Sequence, residues 1–76
     1  MDSVEKLMIK IMDLRDGNTT LTAEAKAMGL TKGVVLDRLK ADLVKSVAYM
    51  YRRRTGEALP TKNYREAYLI FKKRLS

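Results

Sequence analysis

From Lys32 to Arg54 the chain carries no helix breaker except Gly33, which would fall in the first turn of any helix there. Continuous helix over that stretch extends about 34 Å at about 1.5 Å per residue. In a chain of 76 residues one such rod dictates the rest, because the other segments have to lie along its apolar side as shorter helices. That side is legible in Val35, Leu36, Leu39, Leu43, Val47 and Met50, broadened by Val34, Val44 and Tyr51, since residues three and four apart share a helix face. A bend at residues 41 to 46 is compatible with the same pattern.

Three shorter helices are predicted. The first covers residues 3 to 15, with Asp2 as cap, Glu5 returning the capping-box bond, and Val4, Leu7, Met8, Ile11 and Leu14 as the inner face. Ile9 and Met12 widen its stripe, and Asp16-Gly17-Asn18 stops it. The second begins at residue 22 or 23 and ends at 28, capped by Thr20 or Thr22. Gly29 then supplies a turn, Leu30 a plug into the core, and Thr31 the cap of the long helix. Beyond Arg54, Gly56 and Pro60 mark a connector. The last helix is expected within residues 61 to 75, with Asn63 and Glu66 as a second capping box, Thr61 as a competing cap, and Tyr64, Ala67, Tyr68, Phe71 and Leu75 facing inward. The expected fold is all-α, a small bundle of about four helices forming a single domain over residues 1 to 76.

Composition narrows the function. The 46% apolar content supplies a core, and a domain of this size buries only about 60% of the surface its unfolded chain exposes, so a second copy would add burial. A homodimer is therefore among the expectations. Cysteine and histidine are both absent, which removes thiolate ligands, disulfides and the commonest neutral-pH base. No cofactor, metal site or catalytic constellation is expected, and the chain reads as a non-enzyme. No apolar run is long enough to span a membrane, and the first residues lack a signal-peptide pattern, so the expected location is cytoplasmic.

The net charge of +7 is unevenly spread. Residues 1 to 31 carry Lys6, Lys10, Arg15 and Lys26 against Asp2, Glu5, Asp13, Asp16 and Glu24, a balance of −1. Residues 32 to 76 therefore hold +8, densest at Arg52-Arg53-Arg54 and Lys72-Lys73-Arg74. Such asymmetry attracts phosphate backbones or an acidic protein surface.

Residues 20 to 40 have the layout of a helix-turn-helix unit. Ala25 allows two helices to cross closely, Gly29 accepts the backbone bend, and Leu30, Val35 and Leu39 set the angle of the second helix. The stretch Met28-Gly29-Leu30-Thr31-Lys32-Gly33-Val34-Val35-Leu36-Asp37-Arg38-Leu39-Lys40, with Gly17-Asn18 upstream, resembles the helix-turn-helix of the Fis family of nucleoid proteins. That unit is shared with the C-terminal domains of many bacterial enhancer-binding activators. The resemblance spans residues 17 to 40 and implies a DNA-contacting recognition helix, with Lys32, Gly33 and Lys40 at places where polar or small residues approach the duplex.

The expected function is duplex-DNA binding by a small transcriptional or architectural regulator. Thr31, Lys32, Gly33, Arg38 and Lys40 would border the major groove, while Lys45, Arg52, Arg53, Arg54, Lys62, Arg65, Lys72, Lys73 and Arg74 would neutralise phosphates. Each has an ordinary alternative. Thr31 caps a helix in any protein, and Arg52, Arg53 and Arg54 suit a helix C-terminus without any ligand. Tyr49, Tyr64, Tyr68 and Phe71 interleave with the charge as stacking platforms or as core, the helical spacing favouring core. Leu36 and Asp37, on the supposed recognition helix, suggest instead an adaptor or inhibitor docking on an acidic protein partner. RNA binding through the basic final helices is the third reading.

Overall fold

The computed structural model of the chain describes residues 2–76. In order come α1 (Ser3–Arg15), α2 (Ala23–Ala27), α3 (Lys32–Thr55) and α4 (Tyr64–Ile70), and α4 passes directly into a π-helical turn over Phe71–Leu75. The architecture is an all-α bundle of four helices. α3 is a single helix of 24 residues, with no interruption at residues 41 to 46. It sets the long dimension of a molecule measuring 41 × 20 × 18 Å.

Each helix start follows from a side chain that satisfies an otherwise orphaned amide. Asp2 Oδ1 accepts from the Val4 amide at 2.8 Å, and Thr22 Oγ1 from Ala25 at 3.1 Å. Thr31 Oγ1 accepts from Val34 at 3.3 Å. Asn63 Oδ1 takes the amides of Arg65 and Glu66 at 2.9 and 3.1 Å. The last helix thus starts at Tyr64, later than residue 61, because the Thr61 hydroxyl accepts the Asn63 amide at 3.0 Å and folds residues 61–63 into a turn. That bond also removes the amide to which Glu66 would have returned, so a side-chain cap stands where a reciprocal box was expected. Glu5 likewise leaves its expected place in a box and accepts from Tyr68 Oη and Lys72 Nζ at 2.8 and 2.9 Å.

α2 ends in a Schellman arrangement: Gly29 adopts φ +74°, its amide donates to the Lys26 carbonyl, and the Leu30 amide donates to Ala25, both at 3.0 Å. α3 ends at Gly56, whose amide makes the last helical bond to the Arg52 carbonyl at 2.8 Å and whose φ of +77° turns the following chain away from the helix.

The core is built from three regions of the chain. Val4 and Ile11 of α1, Leu43, Val47 and Tyr51 of α3, and Ala67, Phe71 and Leu75 of α4 and its π turn form one buried cluster. Each fully buried large side chain contributes about 1.5–3 kcal/mol. Ala67, Phe71 and Leu75 occur every fourth residue, a spacing that drifts around an α-helix of about 3.6 residues per turn. The wider turn closed by the Ser76 amide on the Phe71 carbonyl at 2.9 Å reverses that drift and keeps Leu75 over α3. α2 contributes no buried residue, and Leu30, expected as a core plug, is only half-buried.

Candidate nucleic-acid interface

Leu43, Val47 and Tyr51 fix which side of α3 is inward. At about 100° per residue, Arg38, Lys45 and Arg52 point the opposite way, and all three are exposed. Seven-residue spacing sets them in one line about 21 Å long at about 1.5 Å per residue. Val34, Ala41 and Ala48 alternate with them, so small or branched side chains leave the cations standing clear of the surface. Asp37 and Asp42 stand at the edges of this stripe.

At the far end of α3, the three consecutive arginines diverge as their 100° spacing requires. Arg53 Nη1 donates to Tyr49 Oη at 2.9 Å, with the guanidinium 5.6 Å from the ring centroid. Arg52 and Arg54 are exposed on either side. All three lie in the last turn of α3, where its dipole favours cations.

A second cluster gathers where α3 meets the start of α4. The ring of Tyr64 has Lys40 Nζ 5.0 Å from its centroid and the Arg65 guanidinium carbon at 5.6 Å. Arg65 Nε donates to the Tyr64 hydroxyl at 3.2 Å. Partial burial pushes that hydroxyl upward, but Arg65, Lys40 and Arg15 together outweigh it and hold Tyr64 below the ordinary tyrosine value of 10.0. Lys40, Lys45, Lys62, Asn63 and Tyr64 line an open cleft of about 620 Å³, with Ala41 and Val44 as apolar wall.

The remaining expected contacts are placed differently. Lys32 turns back on α1, its Nζ donating to the Arg15 carbonyl at 3.3 Å, which accounts for a cation in the first turn of α3 without an external anion. Thr31 is occupied by capping, and Gly33 borders open space. Lys72 pairs with Glu5 at 2.9 Å and ties α1 to the last helix. The Lys72 ammonium and then the Tyr68 hydroxyl lower the Glu5 carboxyl, while Glu5 in turn raises Tyr68 and Lys72. Lys73 and Arg74 remain exposed beside Tyr51, Pro60 and Ile70.

Arg15–Asp16 and Glu5–Lys72 are the ion pairs among the described residues. Arg38, Lys40, Lys45, Arg52, Arg53, Arg54, Lys62, Arg65, Lys73 and Arg74 are in none, within those same residues. Of the aromatics, Tyr68 stacks on Phe71 with centroids 6.3 Å apart and both pack in or against the core, whereas Tyr49 is 64% exposed and stands at the surface with Arg53 against it.

Ala25 and Val35, with Leu39, face a common cavity of about 180 Å³ that Leu14 and Leu21 also line. Lys10, Asp13, Thr19, Thr20 and Thr22 complete the lining, so Ala25, Val35 and Leu39 of the expected helix-turn-helix unit border a partly open surface pocket, which Leu30 does not line. Among the described residues no acidic group of three or more is arranged to hold a metal ion, and no helix is long and apolar enough to cross a membrane.

No protein-family model matches the chain, and no match is found among the curated proteins or the solved structures. The geometry stands by itself. Sequence reasoning missed Arg15 and Tyr64 as members of the basic cluster. The Tyr64-Arg65 adjacency was visible, but Arg15 and Lys40 join it only through the packing of α1 and α3 near α4.

Proposed function

We propose that this chain is a non-catalytic DNA-binding protein that lays the outer stripe of α3 against duplex DNA, acting as a small transcriptional or architectural regulator. The observation that carries this reading is the set of ten cations at or beyond Arg38 with no anionic partner among the described residues, three of them aligned on one helix. Like charges held together repel, and a polyanion relieves that cost while releasing its own counterions. The dimensions fit. A stripe of about 21 Å matches about six base pairs at about 3.4 Å each, and the major groove, about 12 Å wide, admits an α-helix.

The resemblance of residues 17 to 40 to the Fis-type helix-turn-helix agrees with placing α3 at the groove, with Arg38 nearest the bases; Lys40, on the inward side of α3 against Tyr64, stands away from that stripe. It also supports a homodimer, which would present two such helices to a two-fold site. Lys62, Arg65, Lys73 and Arg74 then act on flanking phosphates. Lys32 and Lys72 have internal partners and contribute least.

Combined reversal at Arg38→Glu, Lys45→Glu and Arg52→Glu tests the reading by duplex titration. Binding should weaken by at least about a hundredfold, given about 1.5–3 kcal/mol for each charged hydrogen bond to phosphate that is lost. Unchanged affinity would remove α3 from the interface. Docking on an acidic protein is the second reading, favoured by the apolar Val34 at 42% exposure within the stripe. Structured RNA as competitor separates the third.

A further inference from the structure

We infer that the cleft between α3 and the start of α4 is a phosphate-binding site, in which Lys40, Lys45 and Lys62 surround one phosphate group and the Tyr64 hydroxyl donates to it. The inference rests on the DNA-binding reading only for where the phosphate comes from, since the cleft is described by its own side chains. Lys40, Lys45 and Lys62 line it, and no carboxylate does. Lys40 and Arg65 are both held against one phenol ring, at 5.0 and 5.6 Å. Packing two cations on a single half-buried ring concentrates positive charge, and neither Lys40 nor Arg65 has an anionic partner among the described residues.

The hydrogen-bonding pattern at Tyr64 points the same way. Its hydroxyl oxygen already accepts from Arg65 Nε at 3.2 Å, while its own hydrogen has no acceptor among the described residues. An oxyanion in the cleft would supply one. The amides of Arg65 and Glu66 are already taken by Asn63, so the site is built from side chains. A doubly or singly charged phosphate ester suits this donor set, because it offers several acceptor oxygens to three separate cations. Ala41 and Val44 give the remainder of the ester an apolar surface to rest on.

The probe is inorganic phosphate, titrated into isotopically labelled protein at constant ionic strength with chloride as the replaced anion. Saturable amide shifts are expected at Lys40, Lys45, Lys62 and Tyr64. Lys40→Gln and Lys62→Gln should each weaken the saturation constant about tenfold, the loss of one charged hydrogen bond. Tyr64→Phe keeps the ring and should weaken it by a smaller factor. Shifts that never saturate, or that spread equally to Arg38, Arg52 and Lys73, would overturn the site.

Short oligonucleotides with and without a 5′-phosphate identify the source, read by the same amides. Preference for the phosphorylated strand assigns a terminal monoester, equal response a backbone diester, and no response at the cleft from either overturns the site. Should duplex titration succeed while phosphate leaves these amides unmoved, the cleft fails and the α3 stripe stands. Saturable phosphate shifts with no duplex binding would do the reverse.

Discussion

Glu5 exchanges a bond within its own helix for two across the molecule, and that exchange sets a pH dependence. Its carboxyl is lowered from the ordinary 4.5 by Lys72 and Tyr68. A carboxyl whose folded value lies below its unfolded one contributes stability that is full above the unfolded value and lost as pH falls through the folded one. Glu5→Gln should therefore lower the melting temperature at neutral pH, and the difference from the natural chain should shrink below about pH 4.5 and vanish in stronger acid. A difference that stays constant through that range would mean the carboxylate charge contributes nothing. Tyr64 makes the complementary case, a phenol held below 10.0 by a cluster of cations. Removing one of them with Lys40→Gln should move its titration upward, as followed by ring resonances; an unmoved titration would uncouple Lys40 from the ring. Neither role was legible in the sequence. Glu5 was three residues from Asp2 and fitted a local box, and only the folded arrangement brings it to Tyr68 and Lys72. The caps were legible for the opposite reason, since Asp2, Thr22, Thr31 and Asn63 act within three residues of themselves.

Among the elements, α2 is the outlier, for it has five residues, a cap at each end and no buried side chain. Its amides should exchange with solvent far faster than those of α3 around Leu43 and Val47, where opening requires loss of the core. Two glycines sharpen the contrast. Gly29 and Gly56 both hold positive φ, and a Cβ at either would meet nothing within 4 Å, so Gly→Ala at each costs backbone strain alone. That strain is about 1–2 kcal/mol for a residue in the left-handed region. At Gly56 it should appear in full in urea denaturation, because α3 belongs to the cooperative core. At Gly29 it should appear as faster exchange over residues 23 to 30 with little change in the denaturation midpoint. Equal midpoint losses would place α2 inside the cooperative unit after all. The four helices themselves could be read from periodicity and turn chemistry, and α3 from its lack of breakers. The π turn could not, because it answers a tertiary demand: Phe71 and Leu75 must both reach α3 from a helix whose natural repeat would carry Leu75 aside. The open pocket beside Ala25 and Val35 was equally invisible, since spacing reports which residues face each other and not how closely they pack.

At the scale of the whole molecule, a 24-residue rod is only partly wrapped by its neighbours. The radius of gyration is 13.5 Å, against about 11.4 Å for a compact chain of equal length. With so small a core, single truncations are severe. Phe71→Ala removes a side chain that is 2% exposed, and a loss of about 3–5 kcal/mol approaches the whole stability of a small domain. Far-ultraviolet circular dichroism should show that variant largely unfolded well below the melting temperature of the natural chain, and a native-like melt would mean the cluster repacks. The incomplete wrapping is also what leaves the outer side of α3 available, with its cations unpaired among the described residues. The central claim is that this surface meets the phosphate backbone of duplex DNA. Fluorescence-anisotropy titration of a labelled duplex across a series of salt concentrations, with structured RNA as competitor, tests it most directly. The account predicts binding favouring duplex whose logarithmic salt slope corresponds to about four or more phosphates at about 0.9 per phosphate; absence of binding at low salt, or affinity indifferent to salt, would contradict it.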